Sequence, residues 1–315
     1  MAPDPLVRLG LIGAGRWGRN YIHTIGGIEG VQLTRLASRN PSSQELVGAD
    51  CAISSDWREV VGANDLDGVI IATPPHLHID MTRAAVEAGL AVLVEKPLSL
   101  DAVDARALLA QVEQSNTLVM VDHVMTYSPA FIKLKAVIES QGPIRRIVSR
   151  NGNWGPFRED VTALWDWAAH DIAMCLSLLN EPPSEINAER TESLQTAEGF
   201  GETYSLHLTF PSGPVADIEV SSLWSEKVRR FSAALDGQTL VFDDTAPNKL
   251  SQHMAGTAEG EPVAIDPKPA LTQAVEAFVT AIIDGGHNLT NLRLGVDVVE
   301  VLARCDAILK VSSGK

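Results

Sequence analysis

Short apolar runs alternate with amphipathic stretches through the first third of the chain. Residues 7–12 form a dense apolar run that stops at glycines, as expected of a strand buried on both faces. Residues 17–25 continue as a helix ended by Gly26-Gly27, and 31–37 read as a second strand. The run 68–72 is a further strand, stopped by Thr73-Pro74-Pro75. A helix over 78–88 follows, with Gly89 at its C-terminal end. Residues 90–94 form another strand, closed by Glu95-Lys96-Pro97. Ser99 reads as the N-cap of a helix reaching about Ser115, and 117–122 as one more strand. Such alternation implies right-handed crossovers, hence a doubly wound α/β unit with a parallel sheet and helices on both faces.

The rhythm changes after about residue 123. A linking helix is expected over 129–141, a strand over 145–152 and a helix over 162–179. Residues 202–210, 214–224, 230–235 and 238–243 have β character, and Gly-Pro and Asp-Gly pairs separate some of them into hairpins or meanders. The stretch 246–270 is polar and rich in Pro, Gly and Ala, and reads as a long irregular excursion; helices over 271–284 and 291–309 close the chain. The pattern therefore predicts two domains, 1–123 of doubly wound α/β type and 124–315 of α+β type on a largely antiparallel sheet. The length of 315 residues agrees with two domains of ~150 residues.

Composition narrows the function classes. A formal net charge of −15 repels phosphate backbones and anionic lipid, and no Lys/Arg cluster offsets it, so a nucleic-acid partner is not expected. Cys51, Cys175 and Cys305 are widely spaced, which fits neither a disulfide framework nor a zinc site; Cys175 and Cys305 sit in apolar helical patterns and are expected to be buried and inert. The N-terminus lacks a signal-peptide core, and no apolar run reaches the ~18 residues of a membrane span; a cytoplasmic location is expected, without a membrane partner.

The strongest chemical motif is Gly13-Ala14-Gly15-Arg16-Trp17-Gly18, at the first strand–helix junction. There the first glycine permits the tight turn, the second lets a pyrophosphate approach the backbone, and the third lets helix and strand pack closely. The helix N-terminus offers free N–H groups and the positive dipole end to the phosphates. Roughly 20 residues on, the acid that would bind an adenosine ribose hydroxyl is missing. Leu36-Ala37-Ser38-Arg39-Asn40 stands there instead. Ser38 can donate to a 2′-phosphate and Arg39 can pair with it while stacking on adenine, so NADP is favoured over NAD.

Three further motifs carry chemistry: Thr73-Pro74-Pro75-His76-Leu77-His78, Glu95-Lys96-Pro97, and Asp166-Trp167-Ala168-Ala169-His170-Asp171. The first two fall at the carboxyl ends of strands, where doubly wound folds bind ligands. Lys96 can polarise a substrate oxygen there as hydroxyl becomes carbonyl. Asp166 and His170 are spaced i, i+4 and project from one helical face, and His170 suits proton transfer near neutral pH. His76 and His78 are two apart and share no helical face, so no metal site is expected. Asp171 reads equally as a packing residue. Trp154, Trp165 and Trp167 gather near the expected cleft, with core packing as their default role, and Arg158 is a candidate for an anionic substrate group.

Together these features resemble the Gfo/Idh/MocA family of glucose–fructose oxidoreductases and inositol dehydrogenases, from end to end. The resemblance implies an N-terminal Rossmann domain and a C-terminal α+β domain whose open-faced sheet packs against a partner subunit, as a homodimer or homotetramer. It implies hydride transfer between NAD(P) and a secondary alcohol or ketone of a sugar, polyol or sugar derivative. Lys96, Asp166 and His170 would be the catalytic triad: His170 the acid/base, Lys96 the electrostatic partner of the reacting oxygen, Asp166 a positioning group. Thr73, Pro74, His78, Glu95 and Lys96 match the nicotinamide-ribose side. Two alternatives stand beside this reading, a catalytically silent dinucleotide-binding sensor and an NAD-dependent glycosidase.

Overall fold

The computed structural model describes residues 6–257 and 259–313. The chain groups into two compact units, one running to Val124 and including Pro269–Val296, the other comprising Met125–Lys268 and the chain from Asp297 on.

In the first unit, β1 (Val7–Ile12), α1 (Arg16–Ile25), β2 (Val31–Ala37), β3 (Ala52–Ser54), α2 (Trp57–Val61), β4 (Gly68–Ile71), α3 (His78–Glu87), β5 (Ala91–Glu95), α4 (Ala102–Ser115) and β6 (Val119–Asp122) follow in order. The six strands form one parallel sheet in the order β3-β2-β1-β4-β5-β6, the doubly wound arrangement of the Rossmann fold. Every residue of β4 and β6 is buried, which explains why both strands read as apolar runs up to the buried Asp122 that ends β6. The reversal of strand order between β1 and β4 opens the crevice in which such sheets bind ligands.

One local expectation is corrected, and two short elements are new. The N-cap of α4 is Asp101 and not Ser99: Asp101 Oδ1 accepts from the N–H groups of Val103 (2.6 Å) and Asp104 (3.3 Å). Ser99 Oγ accepts from the Asp101 N–H at 3.0 Å, two residues too early to cap. Between β2 and β4, β3 and α2 are only three and five residues long, too short for a readable period.

The second unit contains α5 (Pro129–Gln141), β7 (Arg146–Trp154), α6 (Ala169–Leu179), β8 (Glu185–Gln195), β9 (Phe200–Thr209), β10 (Val215–Ser221), β11 (Leu223–Leu235), β12 (Gln238–Asp243), β13 (Leu250–Met254) and β14 (Glu261–Pro262). Its eight strands order as β14-β13-β12-β11-β7-β10-β9-β8, antiparallel except for the β7–β10 pair. Asp171 of α6 takes hydrogen bonds from Ser149 and Asn151, so one side of β7 faces a helix. The alternate residues Arg146, Val148 and Arg150 are exposed on the opposite face. Ion pairs Arg146–Asp217 (2.6 Å) and Arg150–Glu219 (2.8 Å) lie along that face, and Arg150 sits 4.7 Å over the Trp224 ring.

The excursion expected over 246–270 is partly ordered, since β13 pairs with β12 and extends the sheet. The helices α7 (Ala270–Ile283) and α8 (Thr290–Ser313) close the chain. A Cβ added at Gly68 would lie 3.0 Å from both Phe278 and Ile282 of α7, so α7 packs on β4. Asn291 Oδ1 accepts from the Val121 N–H at 2.5 Å. Two consecutive stretches divided at 123/124 do not register this return of residues 269–296 to the first unit. The reason is physical: α7 is an apolar amphipathic helix with the same pattern whichever sheet it covers. Among the described residues no helix is long and apolar enough to cross a membrane.

Candidate cofactor and active site

The three motif glycines have three different surroundings. Gly13 has φ +101°, and a Cβ there would sit 2.6 Å from the Ala72 carbonyl oxygen. A Cβ on Gly18 would run into the Gly13 carbonyl, so helix α1 packs on the turn only because Gly18 has no side chain. A Cβ on Gly15 would meet nothing within 4 Å, because this residue faces open space. Gly15 is also the N-cap of α1 and provides no side-chain cap, which leaves the first N–H groups of the helix for an anion.

That open space is a cavity of about 1130 Å³ confined to the first unit. Among the expected cofactor residues, Gly13, Gly15, Arg16, Ser38, Arg39, Thr73 and Pro74 line it. Its volume and its uncapped helix end suit a dinucleotide. Ser38 Oγ lies 2.7 Å from Ser43 Oγ, while Arg39 is exposed, and among the described residues no acid lines the cavity. Arg19, Asn20 and Trp57 also line the cavity, and none was singled out in the sequence. Trp57 escaped because the short α2 that carries it shows no pattern, and Arg58 stacks 4.6 Å over its ring.

Five expected cofactor residues do not line the cavity: Trp17, Gly18, His78, Glu95 and Lys96. Trp17 sits on the outer face of α1, 38% exposed. His78 is fully buried, its ring nitrogens 2.8 Å from the carbonyl oxygens of Thr73 and Pro97. It therefore ties the end of β4 to the end of β5 rather than reaching a ligand. The Lys96–Pro97 peptide is cis, and the Lys96 N–H donates to Glu95 Oε2 at 3.2 Å. Burial and the neighbouring Asp122 push the Glu95 carboxyl well above the usual range.

In the second unit, Asp166 and His170 lie on one continuous helix, but not at α-helical spacing. Leu164–Ala168 is a π turn that leads into α6. The wider turn re-aims Asp166, and such π segments recur at functional sites. Both side chains are half-buried. Arg158, expected to await a substrate anion, is engaged instead: Nε and Nη2 bond Asp160 at 2.9 and 2.6 Å, and Nη1 reaches Asp166 Oδ1 at 3.2 Å. Two carboxylates thus satisfy its fork, which removes the argument for anion capture.

Beneath the π turn, the Arg229 guanidinium lies 4.2 Å over the Trp167 ring and donates to the Gly152 carbonyl and to Asn153 Oδ1. Burial lowers its pKa to about 10, against the opposing charges of Asp171, Asp244 and Asp166. Asp171, beside His170 in sequence, is buried and raised to about 6 by burial, despite its bonds from Ser149 and Asn151. It anchors α6 on β7. Trp165 is core, its Nε1 donating to Asp306 at 2.9 Å, whereas Trp154 is exposed and meets Phe157 edge-on. The three cysteines are buried with thiols pushed up in pKa by burial, as inert thiols should be.

Residues 7–123 match the model of an oxidoreductase family with an NAD-binding Rossmann fold, GFO_IDH_MocA, and residues 131–240 match the GFO/IDH/MocA C-terminal domain. The chain belongs to this family. It is an NAD(P)-dependent oxidoreductase. Inositol 2-dehydrogenase 4 of Saccharopolyspora erythraea is 27% identical over 282 residues, covering 86% of this chain and 82% of the relative. UDP-N-acetylglucosamine 3-dehydrogenase of Acidithiobacillus ferrooxidans is 24% identical over 284 residues, 88% of each. The crystal structure of a Magnetospirillum magnetotacticum MS-1 protein is 41% identical with a TM-score of 0.90, covering 96% of this chain and 100% of that one.

Proposed function

We propose that this oxidoreductase interconverts a secondary alcohol and a ketone on a sugar, polyol or sugar derivative, with NADP(H) preferred over NAD(H). The observation that carries the reading is the glycine-built cavity at the uncapped end of α1, in a chain of this family. Relatives that act on inositol and on a nucleotide sugar support the substrate class. The cofactor, held by the Gly13–Gly18 turn and by Ser38 and Arg39, supplies a hydride acceptor or donor. Lys96, Asp166 and His170 are assigned to the chemistry of the substrate. His170 takes the hydroxyl proton during oxidation and returns it during reduction. Lys96 stabilises the oxygen as negative charge grows on it, and Asp166 orients His170 or the substrate. Screening polyols, sugars and nucleotide sugars by reduced-nicotinamide absorbance, in both directions, tests this. Tight cofactor binding with no turnover of any substrate class overturns it in favour of a sensor.

The cofactor preference follows from charge. With no acid at the end of β2 and Arg39 exposed at the cavity, NADP binds more tightly than NAD. Ser38→Asp with Arg39→Ala reverses the order, by repelling the 2′-phosphate and accepting from a ribose hydroxyl. Titration by tryptophan quenching reads both affinities, and equal wild-type values contradict the argument.

The exposed face of the eight-stranded sheet is assigned to a homodimer, or to a tetramer of such dimers. Val148 is 39% exposed there among the ion pairs, an arrangement suited to a symmetric contact. Light scattering at micromolar concentration gives about twice the chain mass of 33.8 kDa or more. A mass equal to one chain contradicts this.

A further inference from the structure

Tyr21 on α1 meets the register pair Glu95–Asp122 at the ends of β5 and β6, outside the residues that line the cofactor cavity. All three side chains are buried. Tyr21 Oη lies 2.9 Å from Glu95 Oε1 and 2.5 Å from Asp122 Oδ2. A phenol carries a single proton and donates to one of these oxygens only. For the second contact to be a hydrogen bond, and not two buried lone pairs pressed together, the other carboxyl must hold a proton and donate it to Tyr21 Oη. The two carboxyls thus share one proton and one negative charge, as paired acids do when repulsion forbids double ionisation. The shorter contact fits Asp122 as the ionised acceptor, which leaves Glu95 as the acid. Burial and Asp122 raise Glu95 well above its usual range, whereas burial raises Asp122 to about 6.

Among the described residues, the charged and titratable groups around this cluster come from α1 and two strand ends. α1 contributes Tyr21, the end of β5 contributes Glu95 with Lys96 just after it, and the end of β6 contributes Asp122 with His123 just after it. α8 adds the neutral Asn291 at the Val121 N–H. Burial and the Lys96 charge hold His123 down to about 3, so it stays neutral. Both acids feel the Lys96 charge, and Lys96 is tied to Glu95 through its backbone N–H.

We infer that Tyr21 and Asp122 are positioning residues for Lys96. With Glu95 they hold one proton and one fixed negative charge beside the strand-end lysine, and Lys96 is fully effective only while Asp122 is ionised. This rests on the proposed role of Lys96, so the test includes one arm that needs no turnover.

Infrared spectra of the full chain at neutral pH should show the C=O band of a buried protonated carboxyl, lost in Glu95→Gln. Absence of the band in the wild type overturns the shared proton. In the kinetic arm, Asp122→Asn is made on Glu95→Gln, because losing the Asp122 charge would otherwise let Glu95 ionise in its place. The ratio of Glu95→Gln to Glu95→Gln/Asp122→Asn kcat should be ~10 at about pH 8 and fall toward ~1 at about pH 5, as Asp122 protonates in Glu95→Gln. Titration of His170 is common to both proteins and cancels in the ratio. Cofactor affinity should change by less than ~3-fold, far less than the rate. For Glu95→Gln, which copies the neutral acid, the ratio of wild-type to variant kcat should not vary with pH. A pH-independent ratio for Asp122→Asn on Glu95→Gln reduces the cluster to a structural role and overturns the inference. If the band is present but no substrate turns over, the proposed function fails and the Lys96 assignment fails with it, while the shared proton stands.

Discussion

Replacing His170 by Asn lowers kcat by ~10²–10⁴ on a single identified substrate. The amide keeps the rough shape of the ring but cannot exchange a proton near neutral pH, so the hydroxyl proton must leave directly to water. Dissociation constants for NADP, measured separately by tryptophan quenching, stay close to the wild-type value, because the dinucleotide cavity is built within the first unit and His170 belongs to the second. His170 is half-buried, on a helix that opens with a π turn. Undiminished turnover in His170→Asn refutes the acid/base assignment and shifts attention to other groups on the same helix.

Lys96→Ala costs ~10²–10³ in kcat, the usual effect of removing one charge aimed at a developing oxyanion. The loss should fall mainly on kcat and less on KM, since the charge matters most once the substrate oxygen has become negative. Some weakening of cofactor affinity is compatible with this role, whereas an effect confined to KM is not. Lys96→Arg keeps the charge but presents it as a broad planar fork, and should recover only part of the rate. Steady-state kinetics at saturating cofactor separates these outcomes.

What the sequence made legible, and what it hid, follows from pattern length. The strands β4, β5 and β6 stood out because burial on both faces writes a dense apolar run, β1 because only Arg8 breaks one, and the glycine motif because it sits at the first strand–helix junction. β8 was invisible because it is an edge strand of Glu185–Gln195 with nearly every side chain outside the core, so no alternation survives. β13 was hidden because LSQHM is short and polar, with only Leu250 buried. The membership of α7 in the first unit could not be read, because an amphipathic helix does not name the surface it covers.

At the site, sequence spacing named residues but not what holds them. It found Lys96 and Glu95, yet gave no sign that Tyr21, 74 positions before Glu95, and Asp122, 101 positions after Tyr21, close on the same point. It marked His78 as a ligand residue by motif, where the buried ring instead ties two strand ends together. Arg158 looked free as a letter in a polar loop and is held by Asp160 and Asp166. Arg229 had no signal at all, since an arginine in a strand is unremarkable until its guanidinium is found stacked on Trp167.

The central claim is that one hydrogen passes from a carbinol carbon of the substrate to the nicotinamide while the chain moves the hydroxyl proton. The most direct measurement uses the alcohol identified by the screen, carrying deuterium on that carbon, with the recovered reduced cofactor examined by NMR. The account predicts deuterium at nicotinamide C4, on one face only. Deuterium released to solvent, with none on the cofactor, would contradict it.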